Sequence, residues 1–505
     1  MTRLTRNLIY NVAGQGLVLV LSLIAVRFIF RRLGDDVFGI IFFNLVLTGV
    51  LASALELGVS STIVREISSH WGSEPAYVKQ LIRTASSLYW GAGVLLVVVI
   101  WLTAPLLVTH WVNLRSIDPG TAATTLRILS ATALVVLPKA LYTSLFRGRQ
   151  MMALNNAIDV VTAVVQQTGI VLVLLAGGQV YLVAGWIAAS ALLGATAYVL
   201  GAARLFGWSH LVPLFSMDVV RRNIGFTGHM MVISVLSLVH TQAAQVIVSK
   251  LLPIAQFGFY GFASSTVTRA SFVTGAAAQA AFPSFTSLFA SGDQPGLLRQ
   301  YRKMHDLVCY GTLPLFTGLC FAALPVYAYV FNSGVAKTLL LPTAFLALGT
   351  WMNATIQMPY VLSLAMGKPQ IAARLNLYAL VAVLPVTAAL ILAFGLPGAG
   401  FSWVFYHLFA YAYMVPRISR ECLRSPVLSW YLHTLRVLGL GAATYGLAWL
   451  VINALQAFSL PAVVAAYVAA SAVFGVAAYL LVGPDLRDTI QRFRGSLIVR
   501  KASVL

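Results

Sequence analysis

Arg27, Lys139 and Arg269 lie inside stretches apolar enough to span a bilayer. A cation at the bilayer centre costs about 2.5–3.5 kcal/mol on insertion scales, so a membrane protein that keeps such residues has a use for them. The chemistry they offer is the binding of an anion. Glu56, Asp159 and His240 also fall within such stretches. They are the groups that can change protonation or bind a cation inside the membrane, and so can couple movement to an ion gradient. Gln245 and Gln279, with Gln242, Asn44 and Tyr260, supply the amides and aromatic face that recognise sugars. The same residue types also hold helices to one another.

The elements that position these side chains follow from composition. With 60% apolar residues, 9% charged residues and a mean hydropathy of +0.88 over 505 residues, the chain is an all-α polytopic membrane protein. A helical span needs about 20 apolar residues. Fourteen segments qualify, at approximately 8–30, 37–64, 84–109, 124–146, 153–176, 179–203, 224–250, 256–283, 305–331, 336–365, 371–394, 397–416, 432–455 and 459–482. The first is too long for a signal-peptide core and reads as a retained helix. An even number puts both termini on one side.

Depth separates the cations. Arg269 lies about 20 Å into the eighth span, too deep for easy snorkelling. Arg27 is about 28 Å along the first, where it can equally reach the outer headgroups beside Arg31. Lys139, next to Pro138, is about 12 Å from the inner end of the fourth and can snorkel or meet an entering headgroup. The carboxylates have a structural alternative too, such as a Glu56–Lys139 pair.

The net charge of +20 reports topology. With a cytoplasmic N-terminus, inside segments carry 24 of the 33 basic residues and outside segments six, as the positive-inside rule requires. The basic excess therefore faces anionic membrane lipids, not nucleic acid. The tail repeats Leu486, Ile490, Phe493 and Leu497 at helical spacing, which suits an amphipathic helix on the cytoplasmic leaflet.

The chain also repeats itself. Arg6-Asn7 and Arg222-Asn223 open the first and seventh spans, Phe38-Gly39 and Phe257-Gly258 the second and eighth, and Gly148 and Gly367 follow the fourth and tenth. The last two pairs share an offset of 219 residues. This predicts two pseudo-symmetric six-helix lobes of parallel orientation. The expected division is an N-terminal lobe over 1–204, a cytoplasmic linker over 205–223, a C-terminal lobe over 224–420, two extra helices over 421–483 and a tail over 484–505. No segment outside the spans is long enough for a further domain.

Chemical machinery is not evident. There is no GxxxxGK[ST] loop and no dinucleotide fingerprint. His229 and His240 are eleven residues apart on one helix, and no other His/Cys cluster is expected to have ligand spacing, so no metal site is predicted. Cys309 and Cys320 lie about 16 Å apart along one helix, and Cys422 is in a loop, so free thiols are expected.

Arg6-Asn7 with Gly14-Gln15-Gly16, the turn Leu33-Gly34-Asp35-Asp36-Val37-Phe38-Gly39, Glu56-Leu57-Gly58 and Gly148-Arg149-Gln150 resemble the polysaccharide transporter branch of the multidrug/oligosaccharidyl-lipid/polysaccharide exporter superfamily, the Wzx-type flippases. The resemblance runs through about helix 12. It implies a bacterial inner-membrane flippase with cytoplasmic termini, moving undecaprenyl-pyrophosphate-linked oligosaccharide to the periplasmic leaflet by alternating access. No cofactor is implied beyond an H+ or Na+ gradient used in antiport, and the implied partners are a polymerase and other polysaccharide assembly proteins. Family members carry cavity arginines on the first helix, and a peptidoglycan-precursor relative holds the lipid tail in a groove formed by its last two helices. A cation-coupled multidrug exporter of the same superfamily is the alternative, but three intramembrane cations against two acids disfavour it. A non-transporting scaffold or membrane enzyme would want a large loop or a catalytic cluster.

Overall fold

The computed structural model describes the backbone of residues 3–56, 58–489 and 491. The side chains of residues 3–13 and 15, and of several positions between 226 and 240, His240 among them, lie outside the described residues, as does the tail beyond 491. The described chain is helical, and an isolated bridge between Asn113 and Pro253 is its one recorded β-type contact.

Two compact units, Met1–Gly261 and Phe262–Leu505, divide the chain. The first holds α1 (Arg3–Leu33), α2 (Asp35–Glu56), α3 (Val59–His70), α4 (Pro75–Leu106), α5 (Pro119–Ser130), α6 (Ala133–Gly148), α7 (Met152–Leu175), α8 (Val180–Phe206), the short α9 (Trp208–Leu211), α10 (Met217–Leu251) and the first half of α11 (Ile254–Ala270). Its core packs α6 against α3, α4 and α8 around Tyr142, Phe146 and Tyr198. The second holds the rest of α11, then α12 (Phe272–Ala290), α13 (Gln294–Val330), α14 (Ser333–Ala365), α15 (Gln370–Phe394), α16 (Leu396–Ile418), α17 (Val427–Gly441), α18 (Leu447–Ala454) and α19 (Leu460–Leu481). Here α14 is central, packed on α12, α13 and α16, with Trp351 buried and donating to the Cys309 carbonyl at 3.2 Å.

Among the described residues ten helices or helix pairs are long and apolar enough to cross a membrane, against fourteen expected spans. The expected first, seventh, eighth and twelfth spans fall outside the ten. In the eighth, the helix stops at Ala270 and restarts at Phe272. The first and seventh include side chains that lie outside the described residues.

α10, which the expected division at 205–223 assigns to the C-terminal lobe, packs along α2, α3 and α4. The Thr62 and Thr227 hydroxyls meet at 2.9 Å, Arg222 donates to both Glu74 oxygens at 2.7 and 3.0 Å, and Trp111 donates to the Ser249 hydroxyl at 3.0 Å.

The interruption in the eighth span has a counterpart in the second. There α2 ends at Glu56, Gly58 takes a left-handed φ of 76°, and α3 starts at Val59. In the eighth span Ser271 closes a tighter turn, its N–H bonding to the Thr268 carbonyl at 3.0 Å. The second and eighth spans are the ones that the sequence repeat would pair.

Two repeat-related glycines also meet. A Cβ on Gly258 would stand 2.9 Å from the Gly39 Cα, and one on Gly39 would stand 2.2 Å from the Ile254 carbonyl oxygen. Close backbone approach at small residues is how helices associate in lipid. Gly39→Val should therefore lower stability by about 1–3 kcal/mol or more, as overpacking does. Thermal unfolding in detergent reads this, and Gly49→Ala on the same helix, where the space is open, should be neutral or stabilising.

Candidate functional site

Among the described residues the first unit has three ion pairs between Lys or Arg and a carboxylate, Arg65–Glu66, Lys139–Asp159 and Arg222–Glu74. Lys139 Nζ on α6 lies 2.7 Å from Asp159 Oδ1 on α7, and the Tyr198 hydroxyl on α8 donates to the same oxygen at 2.9 Å. Three helices thus converge on one carboxylate, with the lysine and aspartate side chains 43% and 40% exposed. Lys139 pairs with Asp159, not with Glu56. Glu56 is half-buried at the last residue of α2, directly before the break. Arg27 is half-buried on α1 and Gln245 half-buried on α10.

In the second unit Arg269 is exposed in the last turn of α11, two residues before Ser271, and Gln279 is exposed on α12. Irregular backbone at membrane depth is tolerated only where it is buried in protein or lines a wet cavity. A guanidinium exposed beside such a break is suited to an anionic group. Two further expectations are corrected. Tyr260 is 2% exposed, and Asn44 is buried with its amide donating to the Thr132 hydroxyl at 3.2 Å. Both belong to helix packing and line nothing.

Sequence reading missed three polar centres. Asp36 is buried, and its Oδ2 accepts the backbone N–H groups of Arg115, Ser116 and Ile117 at 2.8, 2.6 and 3.3 Å, fastening the α4–α5 connection to α2. Only the adjacent Gly34-Asp35-Asp36 hinted at this, and it reads as an ordinary turn. Glu66 is also buried; it contacts Arg65, accepts the Tyr77 hydroxyl at 2.9 Å and faces His70 Nδ1 at 3.2 Å. Asn223 donates to the Tyr77 hydroxyl at 2.8 Å while the Arg222 guanidinium lies 3.8 Å over the Tyr77 ring. Arg222's hydrogen bonds hold the Glu74 carboxyl below its ordinary range. The third centre is His305 and Cys309 of α13 with His433 of α17, whose ligand atoms lie within 4.8 Å of one another. The expectation of no His/Cys cluster fails here because His305 and Cys309 are i,i+4 on one helix face while His433 arrives only through folding.

The second unit also has an apolar cavity of about 470 Å³, lined by Leu313, Phe316 and Phe321 of α13, Trp351 of α14, Leu438 of α17 and Trp449 of α18. All three cysteines are free thiols, as expected.

Interrupted apolar helices carrying ionisable groups are the features of a multi-pass membrane transporter. The profile of the family described as "Polysaccharide biosynthesis protein" matches residues 4–289, and the chain belongs to that family. It is 21% identical over 410 residues to the Shigella flexneri protein described as "Putative O-antigen transporter", covering 79% of this chain and 93% of that one. Its fold is similar to that of the lipid II flippase MurJ in an inward closed conformation, with a TM-score of 0.67 and 13% identity over 92% of this chain and 98% of that chain. An inward-facing multidrug resistance MATE family transporter of the MOP superfamily gives a TM-score of 0.63 and 15% identity, covering 80% of this chain and 95% of that chain. These relatives are transporters and flippases, not enzymes.

An ion pair this exposed is worth little when it faces water. In a double-mutant cycle on thermal stability, Lys139→Gln and Asp159→Asn should show a coupling below about 1 kcal/mol if the pair lines an aqueous cavity.

Proposed function

We propose that the chain is a flippase that moves undecaprenyl-pyrophosphate-linked oligosaccharide, such as an O-antigen or exopolysaccharide repeat unit, from the cytoplasmic to the periplasmic leaflet of a bacterial inner membrane by ion-coupled alternating access. Both termini are cytoplasmic in this reading, and the two six-helix repeats are the moving parts. The observation that carries it is the pair of helix breaks in corresponding spans of the two repeats, one next to Glu56 and one next to Arg269. Interrupted helices at equivalent positions mark the substrate and ion sites of repeat-built transporters.

In this mechanism Arg269 binds the pyrophosphate, whose charge must cross about 30 Å of hydrocarbon, and lowers the barrier by offering a fixed counter-charge. Gln279 and Gln245 contribute hydrogen bonds to the glycan, and Arg27 attracts the headgroup from the first helix. Glu56 is the coupling acid, because it stands at a break while Asp159 already has a cation and a phenol on one oxygen. Lys139, neutralised by Asp159, steers the entering headgroup only when that pair opens. The polyprenyl tail takes the apolar cavity against α13, α14, α17 and α18, where it exchanges contacts with lipid for contacts with equally apolar side chains. A cation-coupled multidrug exporter would want an acidic cavity, and the deepest cation works against that reading. The glycan-assembly enzymes that make and polymerise the repeat unit are the expected partners.

The test is flipping of lipid-linked oligosaccharide in proteoliposomes. Arg269→Ala should reduce translocation at least tenfold and Arg269→Lys should retain part of it, since an ammonium keeps the charge but loses the bidentate fork. Wild-type flipping by well-inserted Arg269→Ala protein would remove Arg269 from the mechanism.

A further inference from the structure

The His305–Cys309–His433 cluster lies in the second unit, where α13 is met by the start of α17 and by the residues after α19. His305 and Cys309 are 4% and 0% exposed. His305 Nε2 stands 3.5 Å from Cys309 Sγ. A tetrahedral zinc site with Zn–N near 2.0–2.1 Å and Zn–S near 2.3 Å has ligand-to-ligand edges of about 3.5 Å. The helical pair is thus already at ligand spacing, and His433 needs to close a smaller gap than a rotamer change provides.

The surroundings are those of a metal centre. Asp306 Oδ1 lies 3.3 Å from His433 Nε2, and its other oxygen accepts the Gly483 N–H at 2.9 Å. A carboxylate fixed by the backbone and turned onto a ligating imidazole is the usual support for a metal-bound histidine. The His305 ring stacks on Tyr301 at 5.5 Å and lies 5.6 Å from Trp430 and 5.2 Å from His433. The Tyr301 and Tyr310 hydroxyls and Trp430 Nε1 are also buried beside the cluster.

We propose that His305, Cys309 and His433 bind a divalent ion of the zinc class, which fastens α17 and the end of α19 to α13. The ligand set, two imidazoles and one thiolate, suits zinc. Three protein ligands leave a fourth position for water. Binding requires the Cys309 thiol to release its proton to solvent, and His433, 23% exposed, provides the path for proton and ion. The thiolate and the Asp306 carboxylate together neutralise the dication. Both charges are required, because Arg302 acts on Asp306 and Arg436 on His433, and each repels a bare cation. The site is independent of the transport reading, since its ligands come from one unit and its role is to hold helices together.

The experiment uses full-length protein without a histidine tag, in nanodiscs, titrated with Co²⁺ and then Zn²⁺. The expected result is one equivalent bound, with a thiolate-to-cobalt charge-transfer band in the near ultraviolet that Zn²⁺ displaces. The band should disappear in Cys309→Ser and His433→Gln and survive in a Cys320→Ser, Cys422→Ser double variant. Zn²⁺ should raise the Tm of the wild type by several degrees and leave that of His433→Gln unchanged. Absence of the band in the wild type, a readout that needs no variant to fold, would overturn the proposal. So would a band that persists without Cys309 or is lost with the other two cysteines.

Discussion

A bilayer offers no partner to a backbone amide or a charged side chain, so a helix that breaks or a charge that enters must be satisfied from within the protein or by water in a cavity. Every other feature of this chain follows from how that demand is met. The acids of the first unit meet it with protein partners: Asp36 takes three backbone N–H groups, Glu66 a tyrosine and an arginine, Asp159 a lysine and a tyrosine. Arg269 is instead exposed beside a helix break, and Glu56 ends the helix before its counterpart break. The contrast is between charges that hold helices together and charges that lie at helix breaks.

Packing obeys the same economy of contact. Lipid tails are as apolar as leucine, so helices gain little by leaving them and associate through close approach and polar links. Gly39 and Gly258 let α2 and α11 touch backbone to backbone, and Gly400 does the same for α16 against Pro342 of α14.

Arg269 and Glu56 could be named as candidates before folding because a charge in an apolar run is a one-dimensional signal. Partner choice was not legible. Lys139 could have met either intramembrane acid, and it is α7, not the nearer-seeming α2, that brings a carboxylate to it. Asn44 and Tyr260 look like sugar ligands by type, but their faces turn into helix contacts. His305, Cys309 and His433 could not be joined from spacing, because 124 residues of chain separate Cys309 from His433.

By itself the sequence determined that this is a multi-pass helical membrane protein, a property of composition that hydrocarbon imposes segment by segment. The tertiary structure alone decided where α10 packs, where the two equivalent helices break and which polar groups meet. Those outcomes depend on side chains from distant segments competing for the same few partners, and no local period encodes the winner.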